Sequence, residues 1–202
     1  RKVLKSVEYS AVDFTPILAA TADDSAAPAG HYSEPDALTS VAAFHTLFRA
    51  PILATPQIPD AKRSALRVSL IREETSELAE AIAANDLVEV ADALADIQYV
   101  LSGAVLEFGM GSCFKALFDE VQRSNMSKAC TTEDVAKATV AHYAANKGMS
   151  STYELVDGQY LVYRDGDRKV LKSVEYSAVD FTPILGARAD DAAAQKNADA
   201  AN

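Results

Sequence analysis

The chain has 202 residues, 49% of them hydrophobic and 24% charged, with no Trp and a formal net charge of −10. This is the composition of a soluble globular chain, long enough for one sizeable domain with extensions. A charge this negative argues against a nonspecific nucleic-acid binder, which needs a basic face, and no apolar run approaches the roughly 18 residues of a membrane span.

The stretch RKVLKSVEYSAVDFTPIL at 1–18 recurs unchanged at 168–185, and 22 of the 24 positions in 1–24 match 168–191 at an offset of 167. Nothing between the copies repeats, so the chain is not a solenoid. One explanation is a duplicated tail. The other is a tandem precursor with a 167-residue unit, in which 1–18 is the tail of the preceding unit. The Ala-rich segments 19–30 and 186–202 then read as inter-unit linkers. Either way the two copies compete for one binding groove, and the N-terminal copy is expected in a neighbouring subunit. The expected organisation is a tail arm and linker over 1–30, a domain over 31–185 and a second linker over 186–202. The chain opens on Arg1, so any targeting signal is out of view; cytosol, plastid stroma and mitochondrial matrix all suit it.

A first helix is expected from near Pro35 to Pro51, followed by an extended connector with three prolines over 51–60. A second helix runs from about Asp60 to Ala84, with Val68, Ile71, Leu78 and Ile82 as its apolar positions. Asn85 then caps a third, ended by Gly109, whose buried stripe is Leu94, Ile97, Leu101, Val105 and Phe108, with Tyr99 also in the core. CFKALFDEVQRS makes a fourth helix. A fifth starts at a Thr131-x-x-Asp134 cap and stops at Gly148. The period then changes to two around Asp157-Gly158, a hairpin signal, and KVLKSVEY is a candidate third strand. The expected fold is mainly α: a helical bundle with a small C-terminal β-hairpin appendage. Cys113 and Cys130 form no framework or metal pattern and read as reduced thiols.

The chemistry lies on the second and third helices. Glu74 and Glu77 share a face, as do Glu89, Asp92 and Asp96; Glu73 stands beside them. The intervening turn is short, so the helices pack antiparallel and the acidic faces can meet. Arg72 is the only cation nearby on these helices, and the setting of Asp92 and Asp96 is otherwise apolar. Solvated acidic faces are the plain alternative. Crowded carboxylates in such a setting either shift in pKa or push the helices apart; a hard divalent cation relieves them, and Mg²⁺ bridges carboxylates to substrate phosphates. This points to metal-assisted attack of water on a phosphoanhydride.

REETSELAEAI followed by DLVEVADALADIQYV resembles the EExxE…ExxD pattern of the MazG-like, all-α nucleoside triphosphate pyrophosphohydrolases, relatives of phosphoribosyl-ATP pyrophosphohydrolase. Phe44-His45, SNMSK at 124–128 and the tail DRKVLKSVEYSAVDF resemble one subgroup, and the likeness runs from about 36 to 185. The resemblance implies cleavage of a nucleoside triphosphate between the α- and β-phosphates, giving the monophosphate and pyrophosphate. It implies Glu74, Glu77, Glu89 and Asp92 as Mg²⁺ ligands, with Mn²⁺ the alternative ion, and Glu73, together with Glu74, as the catalytic acids, Glu73 orienting or deprotonating the water. Asp96 would meet the sugar or support the ligands; Asn125 and Lys128 would meet the nucleotide, with Arg123 assisting or pairing with Glu120. His45 reads either as a helix-contact histidine or as a base-pocket residue, and Lys172 either as a surface cation or as a border of the phosphate site. Where the subgroup's tail tends to carry a proline, this one has Ala178-Val179; residues 129–167 exceed the short bacterial forms, which leaves the base open.

The expected partners are a nucleoside triphosphate and further copies of the chain, as dimer or tetramer, with neither nucleic acid nor membrane. The competing reading is a non-enzymatic assembly subunit linked by exchanged N-terminal arms.

Overall fold

The computed structural model describes residues 32–186. The N-terminal copy of the repeat and both Ala-rich segments, apart from Gly186, lie outside the described residues. The chain is mainly helical with one small sheet, as expected. It divides into two compact units between Gly111 and Ser112, inside the stretch expected to be one domain. Among the described residues no helix is long and apolar enough to cross a membrane.

In the first unit, α1 spans Ala37–Leu47 and turns Val41 and His45 inward. The proline-rich connector follows, pinned by Leu53 N–H to the Leu106 carbonyl and Gln57 N–H to the Phe108 carbonyl, each at 3.0 Å. These bonds use carbonyls that a helix end leaves free. At Gly109 (φ +71) a Cβ would lie 1.9 Å from the Thr55 carbonyl oxygen. Only glycine lets the connector close over that helix end.

α2 (Ala61–Ala84) starts at Asp60, whose carboxylate accepts from the N–H groups of Lys62 and Arg63. α3 (Leu87–Glu107) starts at Asp86, which accepts from Val88 and Glu89. Asn85, expected to cap the third helix, instead ends the second in the left-handed region at φ 52. Asn tolerates that conformation better than most residues, and the neighbouring aspartate supplies the cap oxygen. With only Asn85 and Asp86 between them, the helices fold back antiparallel.

The expected apolar stripes are only partly buried. Val105 is in the core, but Val68, Ile82, Leu94 and Leu101 are exposed, Ile82 at 62% and Leu94 at 53%. Tyr99 is exposed too. The buried residues of this hairpin are largely small: Ala81, Ala93, Ser102, Gly103 and Ala104. Small residues bring the two backbones close, and the larger apolar side chains are left outside the seam.

The second unit holds α4 (Phe114–Met126), α5 (Glu133–Lys147) and the hairpin of β1 (Ser151–Val156) and β2 (Gln159–Arg164), paired in the register Val156↔Gln159. Asp157 (φ 47) and Gly158 (φ 80) make the turn, with the primed geometry that matches strand twist. The α5 cap falls one residue later than expected, on Thr132, which accepts from Val135 N–H. α5 packs on the hairpin over a core of Cys130, Ala136, Tyr143, Val162 and Leu171. Both cysteines are buried and neither is in a disulfide. The candidate third strand is reduced to one bridge, Tyr163↔Val170, because the chain then leaves β2 and Ser173 N–H bonds to the Lys128 carbonyl at 3.1 Å.

Candidate active site

Along the seam of α2 and α3, the residues facing inward differ in charge from one end to the other. At the open end, Arg63 and Arg67 of α2 hold Glu107 of α3, which is 1% exposed. Burial alone pushes the Glu107 carboxyl up, but hydrogen bonds and charge from Arg63 and Arg67 outweigh it and hold the carboxyl below its ordinary range. Arg67 also reaches His45 Nε2 at 3.2 Å, while His45 Nδ1 lies 2.9 Å from the Pro51 carbonyl. A carbonyl accepts only, so Nδ1 carries the proton and Nε2 accepts from Arg67. Gly103 makes room: a Cβ there would lie 2.6 Å from an Arg67 nitrogen. His45, 2% exposed, therefore has both ring nitrogens engaged within the core. Sequence reasoning missed this cluster; a lone Glu at the end of the apolar run SGAVLEF was the available signal, since such a charge needs buried partners.

Further along the seam the signs are all negative. Glu74 and Asp92 are half-buried; Glu73, Glu77, Glu89 and Asp96 are exposed. The Glu74 carboxyl sits above its ordinary range, through burial first and then through the charges of Asp96, Glu77, Glu73 and Asp92. Asp96 is raised likewise, by burial and then by Asp92. Charges from both helices thus act on one carboxyl, which places the acidic faces toward each other. Glu77 and Glu89 meet farther on, in an open depression of about 430 Å³ that Glu80, Asp86, Ala81 and Ala84 also line. Glu80 and Asp86 were not among the expected site residues; Glu80 continues the spacing of three from Glu74 and Glu77. Among the described residues none of these acids forms a salt bridge.

The donor chemistry suits a hard divalent cation: carboxylate oxygens only, mutually repelling, partly desolvated, with no internal counterion. The side chains as they stand do not converge, and among the described residues no three His, Cys, Asp or Glu form a group that could hold a metal ion. Beside this belt is an aromatic group. Tyr99 is raised by burial and by the Asp96 charge, and it meets Phe44 edge-on at 5.7 Å; Phe44 lies 4.3 Å from Phe48. All three are largely exposed.

Asn125, Lys128, Arg123 and Lys172 belong to the second unit. Lys128 Nζ donates to Asn125 Oδ1 at 2.7 Å. Arg123 pairs with Glu120 through two bonds of 2.7 Å, and Lys172 stands 3.9 Å over the Tyr176 ring. The Tyr176 phenol is lowered by its hydrogen bond with Ser124 and then by Lys172 and Lys128. The segment 120–128 is also bonded to the C-terminal tail. Ser177 N–H donates to Ser127 Oγ at 3.0 Å, Arg123 donates to the Ala178 carbonyl at 3.0 Å, and Asp180 N–H donates to Glu120 at 2.9 Å. This clamp is invisible in the motif alone, because its partners lie some 50 residues away and most are backbone groups.

Residues 41–125 match the sequence profile of the phosphoribosyl-ATP pyrophosphohydrolase family. Over 74 residues the chain is 39% identical to an uncharacterized protein of Acanthamoeba polyphaga mimivirus, a match that covers 34% of this chain and 30% of the viral one. The chain therefore spans less than a third of that relative's length.

Proposed function

We propose, from the match of residues 41–125 to the phosphoribosyl-ATP pyrophosphohydrolase family, that the α2–α3 hairpin hydrolyses a nucleoside triphosphate to its monophosphate and pyrophosphate with Mg²⁺ or Mn²⁺. The observation that carries this reading is the uncompensated carboxylate belt, with Glu74 under the charges of Asp96, Glu77, Glu73 and Asp92. A divalent cation held by Glu74, Glu77, Glu89 and Asp92 would supply Lewis-acid polarisation of phosphate oxygens. Glu73, more exposed than Glu74, would orient the attacking water and take its proton. Asp96, whose charge acts on both Glu74 and Tyr99, would accept from a sugar hydroxyl. Phe44 and Tyr99 offer exposed ring faces and edges to a planar base.

Pyrophosphate release from a panel of standard and modified nucleoside triphosphates, with and without Mg²⁺, tests the reading. Alanine at Glu74 or Asp92 should lower the rate of release by on the order of 10²–10³-fold while circular dichroism stays unchanged; release undiminished in both variants would overturn it.

The exposed Leu94, Leu101, Val68 and Ile82 support association of copies through the hairpin. Light scattering should show an oligomer that Leu94→Glu with Leu101→Glu reduces to monomer. The 167-residue offset of the repeat supports origin from a tandem precursor, and a transcript encoding a single unit would refute it. The same repeat favours the second reading, an assembly subunit without catalysis; a panel giving no turnover with any triphosphate would select it.

A further inference from the structure

In the second unit, the tail from Lys169 to Asp180 lies in a groove formed by β2, α5, the end of α4 and the segment after it. Leu171, 6% exposed, completes the core, and its N–H donates to the Val162 carbonyl at 2.8 Å. Ser173 is buried and bonds to the Lys128 carbonyl. Tyr176 OH is 3.2 Å from Ser124 Oγ, and beyond it the contacts with Ser127, Arg123 and Glu120 run to Asp180. The tail is therefore held at many points, by backbone bonds and by three shape-specific side chains, Leu171, Ser173 and Tyr176.

Residues 1–18 repeat 168–185 without a substitution, with Leu4, Ser6, Tyr9 and Asp13 in the places of Leu171, Ser173, Tyr176 and Asp180. An identical segment has identical bonding capacity for the same groove. Each chain thus carries two segments of this kind and, among the described residues, one groove that takes them. We propose that residues 1–18 of one copy dock in the tail groove of a second copy, replacing that copy's own residues 168–185. Either segment offers the groove the same hydrogen bonds and the same buried side chains, so the exchange is near neutral in energy, the usual condition for domain swapping. The tethered tail has the advantage of a local concentration of roughly millimolar order. Exchange therefore grows with protein concentration and whenever the resident tail is weakened. Docking in this groove involves none of the carboxylates of the α2–α3 hairpin and is independent of catalysis there.

The test uses the full chain. Tyr163 and Val170 face each other across an antiparallel bridge, flanked by the bonds of Arg164 N–H and Leu171 N–H, so this is a close pair without hydrogen bonds of its own, within disulfide reach. Tyr163→Cys with Val170→Cys reports the resident tail; Tyr163→Cys with Val3→Cys reports the exchanged one. On mild oxidation of mixed isotopically heavy and light chains, the second variant should give covalent dimers. They should contain heavy–light 3–163 disulfide peptides whose yield rises with protein concentration. A 3–163 link that never forms, or forms only within one chain, while the 163–170 link closes, would overturn the proposal. A second measurement needs no new cysteine. Leu171→Asp should shift the chain toward oligomers by light scattering and keep the second unit folded, Leu4→Asp should keep the second unit folded and lose the concentration-dependent exchange, and the double variant should lose the second unit. Leu171→Asp behaving like the double variant at every concentration would equally overturn it.

Discussion

The two ends of the α2–α3 seam solve opposite problems with the same helices. At the Glu107 end a buried carboxylate is held by two arginines, with His45 accepting from one of them. Along the Glu74 stretch the acids of both helices act on one carboxyl, and among the described residues none of them forms a salt bridge. One pair of helices can thus neutralise a buried charge at one end and leave like charges crowded at the other, where the Glu74 carboxyl is held above its ordinary range; the proposed cation would act on that second end.

The largest effect expected from disturbing this contrast is catalytic. Glu74→Ala should lower kcat for pyrophosphate release on the order of 10²–10³-fold, as loss of a charge-stabilising group commonly does, with little change in thermal stability. The reverse holds at the other end. Glu107→Ala leaves Arg67 buried without its anion and should cost about 3–5 kcal/mol, read by denaturant unfolding. Replacing Glu107 and Arg67 together by Leu and Met should cost much less than the sum.

Cation linkage comes next. Mg²⁺ or Mn²⁺ should raise the unfolding midpoint, by about 2.7 kcal/mol of stability at a hundred times its dissociation constant, and the gain should vanish in Glu74→Ala but persist in Arg63→Ala relative to that variant's own metal-free state. A gain that survives Glu74→Ala would place the cation elsewhere.

The smallest effects are in pH dependence, and the two ends have opposite signs. Glu107 is depressed in the folded state, so its contribution is complete above the unfolded carboxyl value near 4 and is lost as pH falls through the lower folded value. Glu74 and Asp96 are raised, so their ionisation destabilises: the penalty appears as pH rises through the unfolded value and is complete above the folded one. Asp96→Asn should therefore make the metal-free protein more stable at neutral pH and flatten its stability profile on the side from acid to neutral. A profile unchanged by that substitution would remove Asp96 from the crowded group.

Much of this was legible because the acids are local. Glu74–Glu77 and Glu89–Asp92–Asp96 announce their faces through spacing alone, and a short turn folds their helices back antiparallel. Asp60, Gly148 and Asp157-Gly158 were equally readable, each acting within a few bonds of itself. Burial was less so. Leu94 and Ile82 fit a helical apolar period, yet periodicity tells which side is apolar and not whether the chain itself covers it. Asn85 and Asp86 show a finer limit: both are good cap residues, and only the backbone turn assigns one to ending a helix and the other to starting the next.

The segment 120–128 divides along the same line. The sequence offered the Glu120–Arg123 pair as one of two roles for Arg123, because that contact spans three positions, and the structure shows the pair. That Glu120, Ser124 and Ser127 also hold a tail about 50 residues onward was decided by the tertiary fold, since backbone bonds to a distant segment leave no pattern in the residues that make them. The repeat stands between these cases. Its identity is a property of the sequence, but where its C-terminal copy packs was decided by the folded second unit, whose α4 and β2 supply the bonds that hold it.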